Sequence, residues 1–289
     1  MQTKIFSATA PKFSQLGQLA ITMQTGSAAD IVLAVHAFKA SPDFASIGWQ
    51  TAFDSLLNVL DTANPAWQIF KLDGNSKLPF IAFSVLPGVT CPGAGVCLTY
   101  CYSYKAWRYP AAFARQCQNT FLLRFAPDVI ASALAAIKST AGKKLEFRLY
   151  VDGDFSSESD VAFWMHTLKA NPHINAYGYS KSFAELLAYG RANAWPTNYV
   201  LNISSGHNAS PATVAAVKLL PITRGEFIAL PVGSKPIHGS IDTNKALRIA
   251  AGDIKIFPCP GKCGTCTGSG HACGMPKLKG VVIAIAIHR

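Results

Sequence analysis

Charge is scarce in this chain, and acidic charge scarcest: 14% of its 289 residues are charged, with 15 Asp and Glu against 26 Lys and Arg. A disordered, highly charged chain is excluded, since half of the residues are hydrophobic and can bury an ample core. No dense Lys/Arg run marks a nucleic-acid stripe. The formal charge of +11 still attracts anions, whether nucleic acid, a phosphorylated substrate or a carboxylate-bearing cofactor, and it also serves solubility. No apolar h-region follows Met1-Gln2-Thr3-Lys4, so no signal peptide is read. The longest terminal apolar run, Val281 to Ile287, is too short to span a bilayer and reads as a buried strand. A cytoplasmic, reducing location without membrane contact is the expectation.

What the chain does have is clustered cysteine. In a reducing compartment its eight cysteines point to metal rather than to four disulfides. The first set is Cys91-Pro-Gly-Ala-Gly-Val-Cys97-Leu-Thr-Tyr-Cys101, a Pro/Gly-rich loop that can wrap one metal centre. A [4Fe-4S] cube takes four protein ligands, so three cysteines leave one iron for Cys117, a non-cysteine group or an exogenous ligand. The second set, Cys259-Pro-Gly-Lys-Cys263-Gly-Thr-Cys266-Thr-Gly-Ser-Gly-His-Ala-Cys273, supplies four thiolates by itself. Tetrahedral sulfur ligation suits zinc or an iron–sulfur cluster. Structural zinc usually shows two CxxC knuckles, and only Cys263 to Cys266 is present here, which favours a cluster. His271 lies within this loop and reads as a neighbour of a saturated site. Cys117, beyond the first loop on a helix, reads as a buried core thiol. A single cluster drawing ligands from both loops is an alternative.

Residues 1–78 read as a helical lead-in, with Ile47, Phe53, Leu56, Leu57 and Leu60 forming an apolar stripe. From residue 79 to 289 strands alternate with helices. Strands are expected over 79–85, 146–151, 176–179, 199–203, 227–232, 254–257 and 281–287. Helices are expected in a long reach that ends with Ile130 to Ile137 after the Pro127-Asp128 start, over 157–170 and 183–191, from the Ser210-Pro211 start to Leu220, and over 245–251. That alternation predicts an α/β fold of parallel βαβ units, either an open doubly wound sheet or a partial barrel. In both, ligands gather at the carboxyl ends of the strands. Cys91 to Cys101, Asp152-Gly153-Asp154, Ser180-Lys181-Ser182, Ser204-Ser205-Gly206, Gly233-Ser234-Lys235 and the loop from Cys259 onward all follow strands and are expected to converge. Taken singly, Asp152 and Asp154 are also ordinary turn and helix N-cap residues, and Tyr177, Tyr179 and Trp164 ordinary core or rim aromatics.

The cysteine loop after the first strand, the Tyr100-Cys101 pair and the strand ending Tyr150-Val-Asp-Gly-Asp154 resemble the radical S-adenosylmethionine (SAM) enzymes. The chain is more closely similar to the phage gene product 88 family. That similarity lies in Cys91-Pro-Gly-Ala-Gly with Cys97 and Cys101-Tyr102, Asp152-Gly-Asp-Phe155, Trp164, Tyr177-Gly-Tyr-Ser-Lys-Ser182 and the C-terminal cysteines, over about residues 79–275. The resemblance implies a radical SAM-like partial (β/α) barrel of about six parallel strands, with cysteine loops at 91–101 and 259–273. It implies that the open iron of a Cys91/Cys97/Cys101 cluster binds SAM, whose one-electron cleavage gives methionine and a 5′-deoxyadenosyl radical. Asp152 or Asp154 would then contact the methionine amine, with Ser180, Lys181, Ser204 and Ser205 lining the same strand ends. The gaps here are Cx5Cx3C, against the usual CxxxCxxC.

The function expected is iron–sulfur cluster binding, with one or two [4Fe-4S] clusters, in a radical SAM-like enzyme acting on an anionic substrate such as nucleic acid. The alternatives are a non-catalytic iron–sulfur protein for electron transfer or binding, and a zinc-stabilised nucleic-acid-binding module. A redox role requires an electron donor, and phage origin would place the protein in the host cytoplasm.

Overall fold

Seven segments whose side chains alternate between two faces form one all-parallel sheet in the computed structural model. They are β1 (Ile81–Ala82), β2 (Leu145–Leu149), β3 (Ile174–Ser180), β4 (Tyr199–Ser204), β5 (Thr223–Leu230), β6 (Ile256–Pro258) and β7 (Val282–Ala286). The helices are α1 (Pro11–Thr25), α2 (Ala28–Ala40), α3 (Ile47–Thr62), α4 (Pro110–Phe125), α5 (Pro127–Ala135), α6 (Glu158–Ala170), α7 (Phe183–Ala192), α8 (Pro211–Lys218) and α9 (Ile241–Ala251). The structure describes residues 11–74, 78–138, 144–233, 235–264, 266–267 and 270–287. Met1–Lys4, Ser234 and the loop residues Thr265, Gly268 and Ser269 lie outside that set.

Strand order is β1-β2-β3-β4-β5-β7-β6, an open sheet rather than a closed barrel. Phe147 and Leu149 of β2, Ile174 and Ala176 of β3, and Leu201 and Ile203 of β4 face one way. They join Val161, Trp164 and Leu168 of α6, Leu186 of α7 and Val217 of α8 in the main core. Strands laid side by side in chain order, joined by right-handed crossovers, keep their helices on that face. β6 skips one position, and β7 returns to pair between β5 and β6. A right-handed return in that direction must cross the opposite face, and the 259–281 connection does so. It is held to β2 by His271 Nε2 to Glu146 Oε2 (2.9 Å), to β4 by Asn202 Nδ2 donating to the Cys273 carbonyl (2.9 Å), and to β5 by Arg224 Nη1 donating to the Val281 carbonyl (2.8 Å).

Local structure departs from the sequence reading in several places. The 79–85 strand keeps regular pairing only at Ile81–Ala82, although Phe83 N–H and Val85 N–H still donate to the Arg148 and Asp152 carbonyls (3.2 and 3.1 Å). The helical reach up to residue 137 is two helices, because Pro127 cannot continue the first and instead starts α5. The α3 stripe runs through Trp49, Phe53, Leu56, Val59 and Leu60. Ile47, at the first helical position, points outward and is 86% exposed. Ser27 and Asp30 close a capping box that starts α2, and Phe44, Trp49 and Phe53 form edge-on and tilted ring contacts that lock α3 to the preceding turn. Trp49 also meets Phe113 of α4 edge-on, so one core runs from the helical lead-in into the sheet's helix layer.

Phe53 is fully buried within this aromatic cluster. Phe53→Ala is expected to cost about 3–5 kcal/mol of stability through lost transfer and a residual cavity. Urea unfolding of the variant checks it: a loss below about 1 kcal/mol would show the lead-in contributes little to the common core.

Candidate functional site

The first cysteine loop is docked onto the carboxyl ends of β3 and β4. Gly95 N–H and Cys97 N–H donate to the Gly206 carbonyl (2.9 and 3.2 Å), and Asn208 N–H donates to the Gly93 carbonyl (3.0 Å). Two glycines make the approach sterically feasible. A Cβ on Gly93 would collide with the Lys181 carbonyl, and one on Gly206, whose φ is +78°, would strike Cys97 and the Tyr100 hydroxyl. Gly88 N–H donates to Cys91 Sγ (3.4 Å).

Beneath the loop lies the end of β2. Tyr150 adopts left-handed backbone (φ +55°), and its hydroxyl accepts from Trp164 Nε1 (2.9 Å). The turn that follows carries Asp152 and Asp154. Asp154 is buried and takes donors from Ser180 Oγ (2.7 Å), Lys181 N–H (2.7 Å) and Phe155 N–H (2.9 Å). Lys181 Nζ donates in turn to Ser204 Oγ (2.9 Å). Asp152 Oδ2 accepts from Gln116 Nε2 (3.1 Å) on α4. Asp154, Ser180, Lys181 and Ser204, separated by up to 50 positions in the chain, therefore form one polar floor under the cysteine loop, while Asp152 is held separately by Gln116. Asp154 is not a helix cap; Ser157 caps α6.

Burial pushes the Cys91, Cys97 and Cys101 thiols above their ordinary pKa, and Lys181 pulls all three the other way. Burial also raises both Asp152 and Asp154, against the hydrogen bonds they accept.

The second set lies on the opposite, concave face. Cys259, Cys266 and Cys273 pack with Tyr177, Tyr179, Phe227 and Ile283. Burial raises Cys259 to about 11 and Cys273 to about 12, so a metal must displace protons from these thiols. Both nitrogens of His271 are engaged: Nδ1 accepts from Gly274 N–H (3.1 Å) and Nε2 faces Glu146. Cys117 is buried in the main core. All eight cysteines are free thiols. Among the described residues no group of three or more His, Cys, Asp or Glu side chains is arranged closely enough to hold one metal ion. Among the described residues no hydrogen bond or ion pair joins Gly233 or Lys235 to either cysteine set.

Several residues at this site were not singled out in the sequence. Arg148 of β2 lies between the two sets, its guanidinium 4.8 Å over the Tyr179 ring and Nη2 facing the Tyr102 hydroxyl (3.4 Å). Among the described residues its buried Nε has no hydrogen-bond partner, and the buried Tyr177 hydroxyl faces Cys263. Metal-bound thiolates or cluster sulfides are acceptors of the kind that would satisfy such donors. The signal for Arg148 was its place in the Glu-Phe-Arg-Leu alternation, one polar position along the face that carries Glu146. Tyr100 and Ser205, both named from the sequence, are brought together between the first loop and the end of β4.

Fold and site together define an open parallel α/β protein with thiol-rich loops on its strand ends and concave face. Within that class the chain belongs to the Gene product 88 family, whose model matches residues 58–275. The match takes in both cysteine sets and begins within α3. No curated protein and no solved structure matches the chain.

Asp154→Ala leaves the Ser180 hydroxyl and Lys181 N–H without their acceptor. It is expected to cost about 2–4 kcal/mol and to open the 91–101 loop, seen as faster amide exchange at Gly95 and Cys97. Unchanged exchange at those amides would show that the floor does not support the loop. Burial pushes the Glu146 carboxyl up, but bonds from His271 and Asn175 outweigh it and hold its pKa below 4.5. Its stabilisation is therefore complete above about pH 4.5 and is lost as pH falls through the lower folded value. Glu146→Gln should lower the urea midpoint at neutral pH, and the difference from wild type should close on acidification.

Proposed function

We propose that the protein binds iron–sulfur clusters and is a radical SAM-like enzyme acting on an anionic substrate. Cys259, Cys263, Cys266 and Cys273 would hold one closed [4Fe-4S] centre, and Cys91, Cys97 and Cys101 a second with one open iron. The observation that carries this reading is the placement of the three-cysteine loop over the Asp154–Lys181–Ser204 floor, with Lys181 acting electrostatically on all three thiols. An open cluster iron with bound SAM supplies reductive cleavage to a radical able to abstract hydrogen. Lys181 supplies a cation at the strand ends for a carboxylate or phosphate, and Asp154 fixes the backbone from which Lys181 reaches. Asp152, beside Cys101, offers a carboxylate for an amine. The radical SAM-like reading of the sheet as a partial barrel belongs to this proposal, as does the single-cluster alternative with ligands from both loops.

Eight free thiols suit a reducing compartment, which favours the cytoplasm, or the host cytoplasm for a phage protein. No helix among the described residues is long and apolar enough to cross a membrane. Nucleic acid is the anionic partner that a net charge of +11 favours, and an electron donor completes the scheme.

Anaerobic reconstitution followed by iron and sulfide analysis tests the reading. About eight irons per chain are expected for two cubes and about four for one. SAM added to the reduced protein should perturb its EPR spectrum and release 5′-deoxyadenosine, and Cys91→Ser should abolish both. Zinc without sulfide would establish the zinc-stabilised module instead. A fully loaded protein indifferent to SAM would establish a non-catalytic iron–sulfur protein.

A further inference from the structure

We propose that the ridge formed by Tyr102, Lys105 and Arg108, continued by Tyr109, is a docking track for single-stranded nucleic acid that leads to the 91–101 loop. The inference deepens the reading of nucleic acid as the anionic partner and rests on it; it does not depend on what either cysteine set holds.

The ridge is the outer edge of a 3₁₀ helix, Tyr102–Arg108, which begins directly after Cys101. Three residues per turn bring every third side chain into line, and seven residues is long for a helix of this kind. Tyr102, Lys105 and Arg108 accordingly share one exposed edge, while Ser103 and Trp107 turn inward and are buried. The inner edge is fixed: Trp107 meets Tyr104 and Phe113 edge-on, and its Nε1 donates to Gln116 Oε1 (2.9 Å). Tyr102 is held too, its hydroxyl donating to the Val151 carbonyl (3.1 Å), yet 47% of the residue stays open. Tyr109, between this helix and α4, is 66% exposed. Single exposed aromatics are ordinary. Two of them flanking two cations within eight residues make a surface suited to base stacking and phosphate pairing.

Charge along this part of the chain has one sign. Between Asp73 and Asp128 the 54 intervening residues hold five Lys and Arg and no acid. Among the described residues neither the Lys105 nor the Arg108 side chain has an ion-pair partner. Asp152, the carboxylate within reach of Tyr102, already accepts from Gln116. A rise of about 2 Å per residue sets Lys105 and Arg108 about 6 Å apart along the ridge. That is the order of the step between successive phosphates on an extended strand. An acidic polypeptide would pair with the cations and leave the tyrosines idle, and a duplex keeps its base faces stacked inside. A single strand offers both groups at once.

The test is fluorescence anisotropy of the full chain with a labelled, mixed-sequence single-stranded oligodeoxynucleotide, read over a range of salt concentrations. Tyr109→Ala should weaken binding about tenfold, and Tyr109→Phe should keep it. Lys105→Ala with Arg108→Ala should lower the slope of log affinity against log salt by about 1.4, at about 0.7 for each cation. Lys245→Ala with Arg248→Ala removes two exposed cations from α9 and should leave most of the affinity in place. All these side chains are exposed, and an unchanged urea midpoint shows that each variant is folded. Equal losses from the ridge pair and the α9 pair would reveal diffuse attraction and overturn the proposal, as would wild-type affinity in Tyr109→Ala. Polyglutamate that competes as well as unlabelled oligonucleotide assigns the ridge to an acidic polypeptide and overturns it too. A wild-type chain that binds no oligonucleotide removes the nucleic-acid reading and this inference with it; binding that the ridge variants leave untouched removes the inference alone.

Discussion

The insertion of β7 between β5 and β6 governs the rest of the molecule. Had the last strands followed in chain order, the connection after β6 would have stayed with the helices, and the concave face would carry no cover. Because β7 pairs back beside β5, residues 259–281 must pass over the other side of the sheet. The alternate side chains of four strands then become the bed for a cysteine-bearing segment. Asn202 and Arg224, both buried, spend their donors on its carbonyls, which is how polar residues in central strands avoid being left unpaired.

The two cysteine sets are consequently supported by different physics. The 91–101 loop is held from below by a charge-assisted network in which one carboxylate, Asp154, accepts from a side chain and a backbone amide at the end of the neighbouring strand. Glycine at positions 93 and 206 permits the backbone to touch. The 259–273 loop is held by burial against aromatic rings and by backbone carbonyls. Arg148 lies between the two environments, in contact with Tyr102 of the first and within reach of Cys263 of the second.

Much of this was legible from residue patterns. Helix starts were readable at Ser157, Ser210 and Pro127 because capping and proline chemistry are local. Strands β2 to β5 were readable as short runs set between helical segments. The parallel arrangement followed from βαβ alternation, and with it the convergence of Asp154, Ser180, Lys181 and Ser204, since the ends of adjacent parallel strands must lie together. Boundaries shifted where tertiary contacts outweighed local preference. Ile47 reads as apolar stripe but points outward from the first turn, and β5 begins at Thr223, earlier than its apolar run, because Arg224 can be buried only with the carbonyls of the returning segment.

The sequence by itself determined the parallel α/β class, the grouping of seven cysteines on two loops, and the side of the sheet on which the first loop would lie. Each of these depends on spacing along the chain or on a rule that holds for every parallel strand. Only the tertiary structure decided the strand order at the β5–β7–β6 edge, the course of the C-terminal loop across the face opposite the helices, and the position of Arg148 between the two cysteine sets. Those depend on which distant segments pair, and no local residue pattern encodes the position of a strand that returns from the end of the chain.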